Sequence, residues 1–205
     1  GAQTKDDSIM QIPLFPLNTA LFPGGPLPLR VFEPRYLDMV SRCLKNNTGF
    51  GVVLLKSGGE VGPAEWHGIG TLATIVDWDQ LDDGTLGVTA LGSARFRIIR
   101  QQRQPDSLNV AEVEYLPVDV RQSIPDRYQH LARLVEGVLG ELGPQYQFVE
   151  PDFEDAGWVG YRLAEILPIG GEQRQLLLEF SDPLDRLSVL DAVLQKLKEE
   201  GEEEA

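Results

Sequence analysis

The segment that decides the fold is residues 12–29, IPLFPLNTALFPGGPLPL, which carries prolines at positions 13, 16, 23, 26 and 28. Proline has no N–H to donate to a neighbouring strand, so strands here are expected to be short and to lie at sheet edges. The pattern predicts edge strands around residues 14–15 and 27–30, with a turn over residues 23–25 between them. The fold is therefore expected to begin with irregular β structure rather than with a helix.

One helix and a series of strands are expected C-terminal to this segment. Pro34, followed by apolar residues at three- and four-residue steps, predicts a helix of about 12 residues that ends at Asn46 and Asn47. Runs rich in β-branched residues predict further strands, over residues 50–55, 68–77, 86–91, 94–101 and 109–116. Short strands at regular spacing with a single helix indicate a small barrel or paired sheets.

After Pro117 the apolar spacing becomes helical. It predicts four helices, over residues 125–142, 154–167 and 172–180 and from the pair Asp182-Pro183 onward. Four helices with short connections indicate a compact helical subdomain, so the fold class is α+β. We expect a disordered leader at 1–9, a β subdomain at 10–118, a helical subdomain at 119–198 and a disordered acidic tail at 199–205.

Composition and charge restrict the classes of partner. The chain has 205 residues and a formal net charge of −14. Affinity for phosphates comes mostly from clustered Lys and Arg, so this acidity argues against nucleic acid. No apolar run approaches the roughly 18 residues of a membrane span, and the start lacks the pattern of a signal peptide. A cytoplasmic protein without a membrane partner is therefore expected.

Several motifs resemble catalytic or binding signatures, but the residues around them do not fit the corresponding sites. The G-x-G-x-x-A run at 68–73 continues into β-branched residues, so its glycines are expected to mark a strand start or a bulge. The acidic run 77–84 lacks the ligand spacing of a calcium loop. His67 and His130 have no Ser or Cys that the sequence pairs with them, and the single cysteine, Cys43, lies on an apolar helix face. We therefore expect no catalytic residue, metal or cofactor.

The run FEPRY at 32–36 combines aromatic, acidic and guanidinium groups at a strand-to-helix corner, and Arg95 adjoins Phe96 in a predicted strand. Two interpretations stay open. In the first, Glu33 forms an internal ion pair with Arg95 or Arg35 that holds the corner in place. In the second, these residues form a recognition surface of aromatic rings and a bidentate arginine.

In this order, the motifs resemble the N-terminal domain of Lon proteases. The resemblance is carried by IPLFPL at 12–17, LFPG at 21–24, LPL at 27–29, FEPRY at 32–36, GSARF at 92–96 and QRQLLLE at 173–179, and it covers about residues 10–197. It implies a PUA-like β-barrel followed by a helical bundle. In full-length Lon this region helps to recognise and present substrate proteins and contributes to assembly. The chain is expected to be a stand-alone form, without the ATPase and Ser-Lys protease domains.

The leading expectation is a non-catalytic module that binds proteins or unfolded polypeptides, or an adaptor for an ATPase or protease. The candidate partner-binding residues are Leu14, Phe15, Leu21 and Phe22 for apolar contacts, with Glu33, Arg35, Tyr36 and Arg95 as the polar and aromatic set. The four apolar residues have an alternative place in the core, because a barrel needs inward-facing side chains. The second hypothesis is a ligand-binding protein or enzyme with a barrel-mouth pocket around Glu33, Arg95 and Tyr36, which predicts a deep pocket with perturbed carboxylates.

Overall fold

The computed structural model describes residues 9–56 and 63–204. The chain divides after Val118 into two compact units, the first built on a sheet and the second on helices. The expected α+β class, a barrel-like sheet with one helix followed by further helices, is confirmed. Of the expected leader, residues 1–8 lie outside the described residues, and residue 9 already belongs to the first strand.

The first unit consists of one sheet and one helix within the described residues. Its elements are β1 (Ile9–Leu17), β2 (Pro26–Val31), α1 (Pro34–Asn46), β3 (Phe50–Leu54), β4 (Ile69–Gln80), β5 (Leu86–Arg103) and β6 (Asn109–Tyr115). The strand order is β2-β5-β4-β3-β1-β6, and β5 also pairs with β6. Hydrogen bonding therefore runs almost around a ring, from β1 through β3, β4, β5 and β6 back to β1.

Strand β1 lies between β3 and β6 in the strand order, although its prolines predict an edge strand. Residues 9–13 pair with β6, and residues 14–17 pair with β3. Each half of β1 thus has one partner strand in the ladder. The missing N–H groups of Pro13 and Pro16 can therefore point away from the paired side. Strand β2, which also carries prolines, does lie at one end of the strand order, as predicted.

Strand β5 is one strand of 18 residues, where the sequence predicts two. Gly92 lies between the two predicted halves. Its N–H donates to the Gly25 carbonyl and its own carbonyl accepts from the Gly24 N–H, each at 2.8 Å. A Cβ at position 92 would lie 2.1 Å from the carbonyl oxygen of Phe22. Glycine is required here because the proline-rich turn packs directly against the backbone of β5, so the strand continues through it.

Among the described residues of the first unit, two apolar clusters lie in the interior. In one, α1 packs against the sheet through Tyr36, Met39, Val40 and Cys43. The other surrounds Phe96 and includes residues of β1, β3 and β6. The Cys43 thiol is buried as predicted, and burial raises its pKa, which suits a structural thiol rather than a nucleophile.

The second unit is helical. Its α-helices are α2 (Gln129–Val138), α3 (Ala156–Ile166), α4 (Gly171–Glu179) and α5 (Pro183–Glu203). The predicted cap of α5 is confirmed, since the Asp182 carboxylate accepts from the Leu184 N–H at 2.8 Å. Helix α5 includes Glu199 to Glu203, within the segment 199–205 for which the sequence predicts a disordered tail. Once a helix is nucleated, each added residue gains a backbone hydrogen bond, and here this outweighs the repulsion between the carboxylates.

Two arginines, the buried Arg186 and the half-buried Arg174, donate to the last carbonyls of two of these helices. Arg186 donates from Nε to the Leu177 carbonyl at 2.9 Å and from Nη2 to the Phe180 carbonyl at 2.7 Å, at the end of α4. Arg174 donates to the Ala164 carbonyl at 2.9 Å and to other carbonyls at the end of α3. The last carbonyls of a helix lack backbone partners and carry partial negative charge, so guanidinium groups stabilise both ends.

Candidate functional site

The FEPRY cluster forms the corner between β2 and α1. Pro34 begins the helix, and Glu33 precedes it with an extended backbone. Arg35 donates from Nε to Glu33 Oε2 and from Nη1 to the Ser107 carbonyl, each at 2.9 Å. Its guanidinium carbon also lies 4.7 Å from the centre of the Tyr36 ring. The interpretation as an internal ion pair is therefore the one that the structure shows, with Arg35 as the partner of Glu33.

Tyr36 is a core residue rather than a surface group. Its ring stacks on Phe15 with the ring centres 4.0 Å apart and the planes 5° from parallel. Phe15 in turn lies 5.9 Å from the Phe50 ring. Burial raises the pKa of the Tyr36 hydroxyl, although the positive charge of Arg35 acts in the opposite direction. The aromatic stack attaches α1 to the sheet, and it leaves little of Tyr36 for a partner.

The four predicted apolar contact residues do not form an exposed surface. Leu14, Phe15, Leu21 and Phe22 have exposed fractions between 0 and 7%. Leu14 belongs to the cluster around Phe96, whereas Phe15 and Leu21 belong to the cluster under α1. The expectation that these four residues offer apolar contacts to a partner is therefore corrected: they belong to the core, which was the alternative interpretation. A nearly closed sheet must fill its interior, and these side chains do so.

Arg95 lies apart from the corner, buried in β5 opposite Thr71 of β4. Two cavities of the first unit, of about 300 and 310 Å³, do not include Glu33, Tyr36 or Arg95. The first is lined mainly by α1, β1 and the start of β6, and the second adjoins Trp66. These cavities do not support the hypothesis of a ligand pocket around Glu33, Arg95 and Tyr36.

Residues 9–56 and 63–204 contain no group of three or more His, Cys, Asp and Glu side chains that is placed to hold a metal ion. None of the helices in this part of the chain combines the length and apolar content needed to cross a membrane.

Exposed aromatic side chains lie at the end of the sheet where β4 turns into β5. Phe32, directly after β2, is 64% exposed, and Trp78 on β4 is 53% exposed. Val31 pairs with Leu86, which pairs with Gln80, so the ends of β2 and β4 are two strand spacings apart, about 10 Å. We refer to Phe32, residues 74–80 and the turn at 81–85 as the hairpin end.

An ion pair crosses the hairpin end, from Arg30 of β2 to Asp83 in the turn. Hydrogen bonds from Thr85 and the pairing with Arg30 hold the pKa of the Asp83 carboxyl below its usual range. Sequence reasoning missed this surface, since it treated Phe32 as part of the FEPRY cluster and Trp78 as part of an acidic run. The available signal was the alternation of apolar and charged residues in IVDWDQ at 75–80, which is typical of a strand with one solvated face.

Strand β4 is open on one side along this surface. Strand β3 pairs with β4 only at Thr71, Leu72 and Ala73, whereas the pairing of β4 with β5 continues to Gln80. Residues 74–80 therefore have a strand on one side only. A shift in register between Ile75 and Asp77 marks a bulge within this stretch.

Comparisons with known proteins relate this chain to one family of domains. Residues 11–196 match the family described as the ATP-dependent protease La (LON) substrate-binding domain. A Lon N-terminal domain protein from Xanthomonas campestris has 36% sequence identity and a TM-score of 0.75, over 89% of this chain and 98% of that one. Lon protease 2 of Myxococcus xanthus is 24% identical over 97% of this chain and 25% of its own length. Protein cereblon of Xenopus tropicalis is 33% identical over 55% of this chain and 25% of its own length. The chain thus spans about a quarter of the length of these curated relatives.

Proposed function

The chain belongs to the family of Lon substrate-binding domains, and on that premise we propose that it is a non-catalytic module that binds protein or unfolded polypeptide substrates. The observation that carries this proposal is the pair of exposed aromatic side chains at the hairpin end, Phe32 and Trp78. Aromatic residues are enriched where proteins contact one another, because each ring removes a large apolar area from water on binding. An unfolded chain exposes the apolar side chains that would complement them.

An adaptor function uses the same surface and differs in its partner. A substrate-binding module takes unfolded segments, whereas an adaptor docks on a folded ATPase or protease. Neither function needs catalytic groups in this chain. The corner residues Glu33, Arg35 and Tyr36 have a positioning role in both cases, because their contacts within the chain hold the start of α1 beside Phe32.

The proposal is tested by titrating the isotope-labelled chain with a reduced and alkylated, permanently unfolded protein while recording amide NMR spectra. We expect saturable shifts that cluster around Phe32 and Trp78. Phe32→Ala should weaken the affinity about tenfold, since it removes most of one aromatic contact. The control is Leu176→Ala, which removes a side chain of similar exposure, 60%, from α4 and should leave the affinity unchanged.

Two results would count against substrate binding. Absence of shifts at millimolar unfolded protein would exclude general capture of unfolded chains and leave the adaptor function. Equal weakening by Phe32→Ala and Leu176→Ala would show that binding is unspecific and that the hairpin end is not the site.

A further inference from the structure

The unpaired side of β4 has the properties of a strand-addition site. Residues 74–80 pair with β5 only, and within them Thr74 and every residue from Val76 to Gln80 is exposed. The stretch reads TIVDWDQ and contains neither proline nor lysine; the features that limit addition of a further strand here are the bulge between Ile75 and Asp77 and the charges of Asp77 and Asp79. Seven extended residues span about 23 Å, enough for several main-chain hydrogen bonds to an added strand.

The turn determines which backbone groups face the open side. The Leu81 N–H donates to the Thr85 carbonyl at 2.9 Å, so the backbone polar groups of Leu81 face β5. Hydrogen-bonded and non-bonded residue pairs alternate along antiparallel strands, so the N–H and carbonyl of Asp79 also face β5. The N–H and carbonyl groups of Trp78 and Gln80 then point away from β5, to the side where β4 has no partner strand.

Side chains on this edge differ between its two faces. Trp78 pairs with Val88 and Gln80 with Leu86, so both share the face of the core residues. Asp77 and Asp79 lie on the opposite face, and neither has an ion pair with any residue in 9–56 or 63–204. An added strand would therefore meet an aromatic ring on one face and two carboxylates on the other.

These charges determine the kind of strand that fits. A second copy of this chain would place aspartates opposite aspartates, and like charges directly across a sheet are destabilising. The net charge of −14 adds to that repulsion. A strand with lysine or arginine at alternate positions and apolar residues between them complements both faces.

We propose that the open edge of β4, residues 74–80, binds an extended segment of a partner polypeptide that alternates basic and apolar side chains, as an additional strand of the sheet. Main-chain hydrogen bonds supply affinity without sequence preference, and the aspartates and Trp78 select the side chains. This inference rests on the proposed function and names the substrate class: extended, basic and apolar segments.

The test compares Gln80→Pro with Gln80→Ala. Both remove the same side chain, but only proline removes the outward N–H and places a ring where the added strand would pair. The probes are a ten-residue peptide of alternating lysine and valine and its glutamate–valine counterpart. We expect the lysine peptide to shift amide signals of residues 74–80, with at least tenfold weaker binding to Gln80→Pro than to Gln80→Ala. The glutamate peptide should not bind.

Hydrogen exchange gives a second measurement that needs no variant. Bound lysine peptide should slow exchange at the outward amides of Trp78 and Gln80 and leave the Asp79 amide, already bonded to β5, unchanged. Shifts that leave residues 74–80 unaffected, equal binding by the two variants or equal binding of the two peptides would overturn the proposal. The proposal would also be overturned if the chain alone formed a dimer that Gln80→Pro dissociates, because a second copy of the chain would then occupy the edge.

The unfolded protein used above separates this inference from the proposed function. If it binds the parent chain and Gln80→Pro equally, with shifts around Phe32, the strand-addition site is wrong and the binding function stands. If it does not bind the parent chain, capture of unfolded substrates is wrong and the adaptor function remains, and the lysine peptide then decides by itself whether the edge takes a strand.

Discussion

Gly70 lies in β4 at a point where a Cβ would come within 2.2 Å of the Val52 carbonyl oxygen and 2.8 Å of Phe96 Cζ. The carbonyl belongs to a paired strand and cannot move aside, so a side chain at position 70 must separate β3 from β4 or displace Phe96. A Cβ at Gly68, two residues earlier, would have no atom within 4 Å. The interpretation of these glycines as the start of a strand is confirmed, because β4 begins at Ile69.

We expect Gly70→Ala to lower the free energy of unfolding by about 3 kcal/mol, because it overpacks a tight strand contact. Gly68→Ala should change it by less than about 0.5 kcal/mol, because the position is open. Urea titrations followed by tryptophan fluorescence measure both. Similar stability of the two variants would show that the barrel wall expands easily at this point.

Helix α3 carries a largely buried ionisable group, Glu165, in the second unit. Glu165 accepts a hydrogen bond from Arg162 Nε at 2.6 Å and lies 3.5 Å from the Tyr146 hydroxyl. Burial raises the pKa of the Glu165 carboxyl to about 7, although the charge of Arg162 acts to lower it. Burial, together with the Glu165 carboxylate, raises the pKa of Tyr146. These groups connect α3 to the segment before it.

The raised pKa makes the stability of the helical unit depend on pH. Between about pH 4.5, the reference pKa of glutamate, and about pH 7, the folded state binds a proton that the unfolded state has lost. The stability that the bound proton contributes is therefore complete below this range and is lost as the pH rises through it, by an amount on the order of 3 kcal/mol.

Glu165→Gln, which cannot titrate, should flatten this part of the stability–pH curve. Glu179→Gln, at an exposed position of α4, should leave the slope unchanged. Urea titrations by far-ultraviolet circular dichroism between pH 4 and pH 8 measure the slopes. Parallel curves for the parent chain and Glu165→Gln would contradict the assignment of the proton to this carboxyl.

The whole molecule carries a net charge of −14, with 32 acidic and 18 basic side chains. A field of one sign attracts oppositely charged chains over distances of a Debye length, about 10 Å at 0.1 M salt. A net charge of this size changes the association rate and the affinity for a charged partner, whichever local site binds that partner.

We expect a basic unfolded protein to bind more tightly than an acidic one of equal length at 50 mM salt, by about tenfold or more. At 500 mM salt the difference should largely disappear, because the field is screened. Fluorescence anisotropy of the two labelled proteins measures this. A preference that persists at high salt would mean that short-range contacts, and not the net charge, distinguish the two.

The amino-acid sequence by itself determined the order and kind of the elements, because periodicity, proline and capping residues act within a few residues. Helix α1 after Pro34, the cap of α5 at Asp182 and the change from strands to helices after Pro117 all follow from such local patterns. The ordered motifs of residues 12–36 also carried the family resemblance, which the comparisons bear out.

Only the tertiary structure decided which side chains are inside and which strand edges are open. Leu14 and Phe15 are buried because β1 joins β6 to β3, and the exposed Trp78 lies beside an open strand edge because β3 stops pairing with β4 at Ala73. Both outcomes depend on pairings between residues far apart in the chain, and a strand's own sequence does not contain the length or register of its neighbours. The position of the core and that of the candidate binding edge therefore both depend on how the strands of the sheet pair.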